Sequence, residues 1–254
     1  MNSPAPRPKR HWFAIIFWLF MTAGAYGVYS GVIVIPEPFN PWAPLDVNAP
    51  SNALTAYKLA RTRSDPGLCA DALTQTGMKY ELLPNRTTGP GCGFDNAVRL
   101  REAGVRLGVP VSLSCPMALS FFMWKKHVLQ PAALQHFGQR VVAIEHLGSY
   151  ACRDINRGEG VASGSPAASV SRSHHATANA LDIAGFTLEN GKHISILKQW
   201  QADATTAPPH AEAQMLADVH RGACRFFSGV LGPDYNAVHR NHFHLETGGY
   251  SICR

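Results

Sequence analysis

The chain has 254 residues, of which 46% are hydrophobic and 16% are charged. A chain of this size and composition can bury an apolar core, which excludes a disordered protein, and its glycines follow no period, which excludes a fibrous one. The formal net charge is +6, and residues 7–10 (RPKR) supply three of these charges. The remaining charge is small and forms no basic stripe interleaved with aromatic residues, so we predict no nucleic-acid partner.

The first predicted element is the uncharged segment of residues 12–35. As a helix it would be about 36 Å long, enough to cross a hydrocarbon core of about 30 Å. The basic flank predicts that residues 1–11 stay in the cytoplasm and that the rest is exported. We therefore predict a single-pass inner-membrane protein with a periplasmic C-terminal domain. The alternative is a signal peptide cleaved at residues 23–25 (AGA).

Residues 36–52 contain five prolines and predict a semi-extended spacer before a folded domain at 53–254. All six cysteines lie beyond the apolar segment. An even number of exported cysteines indicates disulfides, but six cysteines allow 15 pairings, among which sequence alone does not choose. The pairing we prefer is Cys69–Cys92, Cys115–Cys152 and Cys224–Cys253.

The folded part is predicted to mix helices and strands. In chain order, we predict helices at Leu54–Arg63 and Ala70–Gly77, an ambiguous segment at Phe94–Val109, helices at Cys115–Leu129 and Pro131–Phe137, a strand at Val141–His146, a Gly/Ser loop at 156–173, a hairpin of Leu181–Leu188 and His193–Leu197, a helix at Pro209–Leu231 and a strand at His242–Glu246. This order has no βαβ regularity. It predicts an α+β fold, with an antiparallel sheet and flanking helices.

Histidines concentrate in two places, VHRNHFHLE (residues 238–246) and SRSHHATANALD (residues 171–182). On a strand, His242 and His244 would point to the same face, with Phe243 turned to the opposite, apolar one. Two convergent imidazoles in an exported protein suggest a transition-metal site. The alternative is a pair of half-exposed polar residues on an edge strand.

A carboxylate follows the second histidine group. His175 precedes Asp182 by seven residues, and an odd offset does not place two side chains on one face of a straight strand. The two side chains can meet if His175 lies in a loop and Asp182 at the start of the next strand. Asp182 could also be a lone hairpin carboxylate.

These patterns resemble a known clan. The pair H-x6-D followed by a distal H-x-H resembles the LAS metallopeptidases, which include lysostaphin-type enzymes, D-alanyl-D-alanine peptidases and Hedgehog-like domains. The stretches GSYACR, SHHATANALDIAGF and CRFFSGVLGPDYNAVHRNHFHLE are more specifically similar to the extensin-like C-terminal family of bacteria, over about residues 55–254. The resemblance implies a Hedgehog/DD-peptidase-like fold with one zinc ion that cleaves peptide bonds in peptidoglycan stem peptides.

Residue by residue, the resemblance implies that His175, Asp182 and His244 bind zinc. It implies catalytic roles for His242 and His239, and it implies that Arg153 in GSYACR holds a substrate carbonyl or carboxylate. Arg153 could instead only brace its loop.

Several alternatives stay open at this point. His174 could replace its neighbour as ligand, although the spacing favours His175, and Glu246 could orient a metal-bound histidine. The clan pattern often has glycine where this chain has Ala178. The predicted function is a membrane-anchored zinc metallopeptidase; the alternatives are a non-catalytic zinc-containing cell-wall binding module and a metal-free structural domain held by disulfides.

Overall fold

The computed structural model describes residues 11–155, 171–201, 210–249 and 251–254. The chain divides into two compact units, Met1–Ala43 and Pro44–Arg254. Most of the predicted Gly/Ser loop at 156–173 lies outside the described residues. Leu45 and Val47, which the sequence analysis placed in the spacer, are buried in the core of the second unit.

The first unit contains one long helix, α1 (His11–Tyr29). Its segment Trp12–Tyr29 is long and apolar enough to span a membrane, with a mean hydropathy of 1.5. The helix is shorter than the predicted segment of residues 12–35. It ends at Tyr29 because Gly31 adopts a positive φ of 76°, which is outside the right-handed helical region. Nineteen helical residues span about 28 Å, close to the thickness of a hydrocarbon core.

The second unit is α+β, as predicted. Its helices are α2 (Thr55–Ser64), α3 (Pro66–Thr74), α4 (Cys115–Trp124), α5 (Gln130–Phe137), α6 (Ile196–Gln199) and α7 (Ala211–Ala223). Its strands are β1 (Lys79–Leu83), β2 (Arg86–Gly89), β3 (Cys92–Phe94), β4 (Ala97–Glu102), β5 (Val111–Ser114), β6 (Val141–Gly148), β7 (Ala180–Leu188), β8 (His193–Ser195), β9 (Gly229–Leu231), β10 (Phe243–Glu246) and β11 (Ile252–Cys253).

The strands of the described residues form three sheets. The largest has the order β11-β9-β10-β7-β6, and β8 pairs with β7. All its pairings are antiparallel except that of β11 with β9. A second sheet has the order β1-β4-β5, and β2 with β3 forms a separate hairpin. The ambiguous segment at 94–109 thus contains no helix among its described residues and includes β4, which pairs with both β1 and β5.

The central strands of the largest sheet have one apolar face. Leu181 and Ile183 on β7, and Phe243 and Leu245 on β10, are at most 1% exposed and belong to the main core. Alternate residues of both strands point the other way, because side chains alternate along a strand. The polar residues of the predicted site therefore lie together on the face opposite the core.

The predicted helices at Cys115–Leu129 and Pro131–Phe137 are parts of one continuous helical segment. Ser114 caps its first turn by accepting a hydrogen bond from Met117 N, and Gly138 ends it in the left-handed conformation. A π-helical turn at Lys125–Leu129 joins α4 to α5. The wider turn directly precedes Pro131, which cannot donate a helical hydrogen bond.

The predicted helix at Pro209–Leu231 is too long. Pro209 lies outside the described residues, and α7 ends at Ala223. Residues 229–231 instead form β9, whose backbone pairs with β10. Gly229 fits there because a Cβ atom would lie 2.3 Å from Glu246 Cγ. These apolar residues therefore belong to the sheet and not to the helix. A helical period in the sequence does not reveal their backbone pairing with β10.

Three disulfides join Cys69 to Cys115, Cys92 to Cys152 and Cys224 to Cys253. The predicted disulfide Cys224–Cys253 is confirmed. The predicted pairs Cys69–Cys92 and Cys115–Cys152 are wrong, since helix packing of α3 on α4 brings Cys69 to Cys115. Cys92 on the β2–β3 hairpin instead meets the segment that follows β6.

His220 on α7 predicts an acid-sensitive stability. Its Nε2–H donates to Arg254 O (3.1 Å), and its ring packs on Trp200 and Phe243. Burial lowers the pKa of His220, so the unfolded chain binds a proton more readily than the folded one. The stability that this neutral histidine supports is present above the unfolded pKa of about 6.5 and is lost as the pH falls below it.

We expect His220→Gln, whose amide can still donate to Arg254 O, to flatten the fall in melting temperature between about pH 7.5 and pH 5.5. Differential scanning calorimetry at several pH values measures this fall. The same pH profile in the variant and the wild type would contradict the assignment.

Candidate metal centre

The two sequence groups meet on the polar face of the largest sheet. His175 lies in a short 3₁₀ turn, His174–Thr177, in which Ser173 Oγ accepts a hydrogen bond from His175 N. Ala178 then adopts a positive φ of 57°, the left-handed conformation, and leads the chain into β7. Asp182 is the third residue of β7, so the expected arrangement of a loop histidine and an early-strand aspartate is present.

Asp182 and His244 are direct antiparallel partners on β7 and β10. The nearest side-chain atoms are Asp182 Oδ1 and His244 Nδ1, 2.8 Å apart. His175 Nε2 lies 3.2 Å from His244 Nδ1 and 3.2 Å from Asp182 Oδ2. We call His175, Asp182 and His244 the metal triad. Their possible ligand atoms lie within 4.8 Å of one another.

Outward hydrogen bonds fix the ring orientations of both triad histidines. His175 Nδ1–H donates to Ser149 O (3.2 Å), which leaves Nε2 free to face the triad. His244 Nε2–H donates to Glu246 Oε2 (2.9 Å), which turns Nδ1 inward. Partners of this kind are typical of metal-binding histidines, because they orient the ring and raise the basicity of the inward nitrogen.

The titratable groups of the triad shift one another's pKa. Burial alone would raise the pKa of Asp182, but hydrogen bonds from His175 and His244 hold it well below its ordinary value, so this carboxylate is ionised. Burial would lower the pKa of His244, but the Asp182 and Glu246 carboxylates raise it to about 9. The Nδ1 proton of His244 thus lies where a metal ion would bind.

The triad opens on one side into a cavity of about 560 Å³, which we call the triad cavity. His239, His242 and Arg153 line it together with Asp182 and His244. The structure therefore brings all the predicted site residues to one place, with His175 buried beneath the cavity wall at 3% exposure.

His242 and His239 flank the triad and do not belong to it. His242 Nε2 lies 3.5 Å from Asp182 Oδ1, and its Nδ1–H donates to Asn241 Oδ1 (2.9 Å). His239 Nδ1–H donates to Asn236 Oδ1 (2.7 Å), and the His239 and His242 ring centres are 5.2 Å apart. Both histidines therefore keep Nε2 free of a proton.

Burial, more than any neighbouring charge, lowers the pKa of both flanking histidines. The pKa of His239 falls to about 4, with the charges of His244 and His242 as further causes. The pKa of His242 also falls, although Asp182 opposes the shift. The two rings are therefore neutral near pH 7, and each can accept a proton.

Arg153 lines the triad cavity and remains exposed. Within the described residues, its side chain makes one long hydrogen bond, from Nη1 to Asp154 O (3.4 Å). The neighbouring Cys152 is held by its disulfide to Cys92. A guanidinium on an anchored segment, with no carboxylate partner among the residues that the structure describes, can bind a carbonyl or carboxylate group of a ligand.

His174, the alternative ligand, points away from the triad. Its Nε2 is 4.0 Å from Glu246 Oε1, and its ring packs near Gly248 and Gly249. The geometric cluster contains His175 in its place. Glu246 contacts His244 as the sequence suggested, and Gly229 provides the space for its carboxylate.

Sequence reasoning missed the acceptors that orient the site. Ser149 contributes its backbone carbonyl, which no residue type reveals, although it lies in the quoted stretch GSYACR. Asn236 and Asn241 each stand within three residues of the histidine that they contact. An asparagine adjacent to a clustered histidine is the signal that could have indicated them.

The donor set fits a transition metal. Two imidazole nitrogens and one carboxylate oxygen face a common point, and three tetrahedral ligands at about 2.1 Å would be about 3.4 Å apart. The measured separations of 2.8–3.2 Å approach this value. The side toward the triad cavity has no further ligand among the described residues, so a fourth position is open.

Comparison with known proteins gives one match, which covers most of the second unit. The family model described as extensin-like protein C-terminus matches residues 67–254. No curated protein matches the chain, and no solved structure does. The family match covers more than half of the chain and includes the metal triad and the residues that line its cavity, and the chain therefore belongs to the extensin-like C-terminal family.

Proposed function

We propose that this protein is a membrane-anchored zinc metallopeptidase that acts on peptidoglycan stem peptides. The observation that carries the proposal is the metal triad, in which hydrogen bonds to Ser149 O and Glu246 turn His175 Nε2 and His244 Nδ1 toward the ionised Asp182 carboxylate. A purely structural polar cluster does not require this orientation or an adjoining cavity.

Zinc is the metal that this donor set favours. Two histidines and one carboxylate are typical of catalytic zinc sites, in which a fourth position stays open. α1 and the disulfides suggest that the second unit is exported to an oxidising compartment. Zinc fits this location because it needs no reducing compartment. When bound, zinc would supply a Lewis acid that activates water and polarises a peptide carbonyl.

The residues of the cavity wall have separate roles in this proposal. His242 stands beside the triad with Nε2 unprotonated, so it accepts the proton that water loses and returns it to the leaving amine. His239, whose ring contacts that of His242, supports it. Arg153 binds a carbonyl or carboxylate group of the peptide at the rim.

The pattern of ligands also supports placement in the LAS clan with a Hedgehog/DD-peptidase-like fold. The H-x6-D pair lies on a loop and a central strand, while His244 of the H-x-H pair lies on the adjacent antiparallel strand β10 and His242 directly precedes that strand. In this register the second histidine of H-x-H faces the aspartate. The first stays beside it, free for catalysis.

We further propose that α1 anchors the protein in the inner membrane, with the second unit in the periplasm. The basic flank at residues 7–10 favours a cytoplasmic N-terminus. A reporter enzyme fused after Asn52 is expected to be active only when it requires export. A fluorescent signal from a reporter that folds only in the cytoplasm would contradict this topology, and fractionation distinguishes an anchored chain from a cleaved one.

Mass spectrometry of peptidoglycan fragments tests the activity. We expect the zinc-loaded full chain, in detergent, to release new peptide fragments from purified muropeptides. Addition of a chelator should abolish the release, and excess zinc should restore it. Zinc bound stoichiometrically without any cleavage would contradict the enzyme and support the zinc-containing binding module.

A further inference from the structure

A second cavity lies beside the triad cavity and has a volume of about 640 Å³. His174 lines both cavities, and the consecutive residues Glu246 and Thr247 line one each. A ligand that extends past His174 therefore contacts both cavities. The second cavity plays no part in the chemistry described so far.

Three charged side chains line the second cavity: Arg63, Arg86 and Asp95. Across the described ranges, none of the three makes a side-chain hydrogen bond or ion pair. The nearby Arg172, in contrast, pairs with Asp154 at 2.6 Å. The second cavity thus presents two guanidinium groups and one carboxylate that are free to bind a ligand.

The base of the second cavity is polar but already hydrogen-bonded. Asn179 joins the segment after His175 to its surroundings, because its side chain contacts Ser114 Oγ (2.5 Å), Thr177 Oγ1 (2.9 Å) and Thr247 Oγ1 (3.4 Å). These polar side chains therefore have few donors or acceptors left for hydrogen bonds to a ligand. Recognition in this cavity therefore depends on the three charged side chains.

The β2–β3 hairpin holds one side of the second cavity in place. Gly93 lets its two strands approach, because a Cβ atom there would lie 2.1 Å from Arg86 O. The disulfide from Cys92 fastens the hairpin to Cys152, next to Arg153 of the triad cavity. One covalent link therefore fixes charged residues of both cavities relative to each other.

We propose that the second cavity binds a zwitterionic amino-acid group of the same peptide that lies at the metal triad. Arg63 and Arg86 match a carboxylate, which guanidinium groups bind with two hydrogen bonds, and Asp95 matches an ammonium group. The inference rests on the proposed function, since it takes the ligand to be a stem peptide. The side-chain end of diaminopimelate carries both of these charges.

The test measures binding, not hydrolysis. The probe is a fluorescent stem tetrapeptide with diaminopimelate, compared with one peptide in which its side-chain carboxylate is amidated and another in which its side-chain amine is acetylated. Fluorescence anisotropy is measured with the full chain in detergent and with a chelator present. Metal-dependent cleavage is then absent, so the result does not depend on whether the protein is a peptidase.

We expect the wild type to bind the unmodified peptide about tenfold more tightly than either modified peptide. Arg63→Gln with Arg86→Gln should weaken binding of the unmodified peptide about tenfold and should remove the discrimination against amidation. Asp95→Asn should remove the discrimination against acetylation. Arg221→Gln is the matched control: its side chain is 77% exposed on α7, outside the cavity, and the change should have no effect.

Equal affinity of the wild type for all three peptides would overturn the proposal, as would no binding of any. It would also fall if Arg221→Gln weakened binding as much as the double variant. Unchanged melting temperatures would show that the variants are folded. Discrimination among the peptides in the anisotropy assay, with no cleavage by the zinc-loaded protein in the mass-spectrometric assay, would support this site and contradict the peptidase. Cleavage in the mass-spectrometric assay without discrimination in the anisotropy assay would do the reverse.

Discussion

The His244→Ala protein is expected to purify without zinc. The substitution removes one of the three proposed ligands and leaves two carboxylates, Asp182 and Glu246, without the imidazole that contacts both. Loss of a ligand should weaken zinc binding by far more than the 10–100-fold typical of losing an outer partner. Inductively coupled plasma mass spectrometry and competition with a chromophoric chelator measure metal content and affinity.

Two variants make this result specific. His174→Ala removes the adjacent histidine that points away from the triad, so it should retain zinc at the wild-type stoichiometry. Glu246→Gln keeps an acceptor for His244 Nε2–H but removes the charge. We expect it to bind zinc about 10–100-fold more weakly, because the basicity of His244 falls.

A fold control is needed, because His244 is buried. Near-ultraviolet circular dichroism of the His244→Ala protein should retain the signal of the packed core around Trp124, and all three disulfides should form. A folded His244→Ala protein that binds zinc as tightly as the wild type would show that the triad is not the metal site.

One part of the candidate site was predictable from sequence, because side chains alternate between the two faces of a strand. Phe243 and Leu245 are apolar, so their burial sends His242 and His244 to the other face. The position of Asp182 required a loop before β7, and the left-handed Ala178 provides the reversal. Ala178 adopts this conformation although it carries a Cβ atom, whereas glycine would adopt it without that penalty.

Features that depend on long-range pairing were not predictable. The confirmed disulfide, Cys224–Cys253, joins the residue after α7 to the last strand and has the smallest sequence separation of the three, 29 residues. The other two pairs depend on how α3 packs against α4 and on where the β2–β3 hairpin lies. No local pattern contains that information, since each of the 15 pairings satisfies the same composition.

The end of α7 was also not predictable from a local sequence pattern. The apolar residues after Ala223 continue a helical period, but β10 has an unpaired edge that β9 fills. Formation of backbone hydrogen bonds along a buried edge outweighs local propensity, because unpaired buried backbone groups are costly. The carbonyl of Ser149 escaped prediction for a related reason: any residue provides a backbone acceptor.

The His242→Ala protein is expected to keep zinc but to lose turnover. His242 shares its face of the sheet with His244, yet its Nε2 is 3.5 Å from Asp182 Oδ1, at the edge of the triad. Its removal deletes no ligand, so metal content should equal that of the wild type. If it is the general acid and base, kcat should fall about 10²–10⁴-fold.

Steady-state kinetics on a cleaved muropeptide measure the effect. We expect KM to change little, because the binding groups of both cavities remain, so that kcat and kcat/KM fall together. His239→Ala is the matched comparison. It removes the supporting ring while leaving the Asn241 contact that fixes the His242 tautomer, and the loss should be smaller.

The pair of variants at positions 242 and 244 separates the two roles by different measurements. The histidines are two residues apart on the same face, so a change in either alters burial and charge in the same region. A merely structural effect would therefore appear in both proteins alike. Loss of zinc from His242→Ala with retention in His244→Ala would reverse the assigned roles. Unchanged turnover in zinc-loaded His242→Ala would assign proton transfer to another group in the triad cavity.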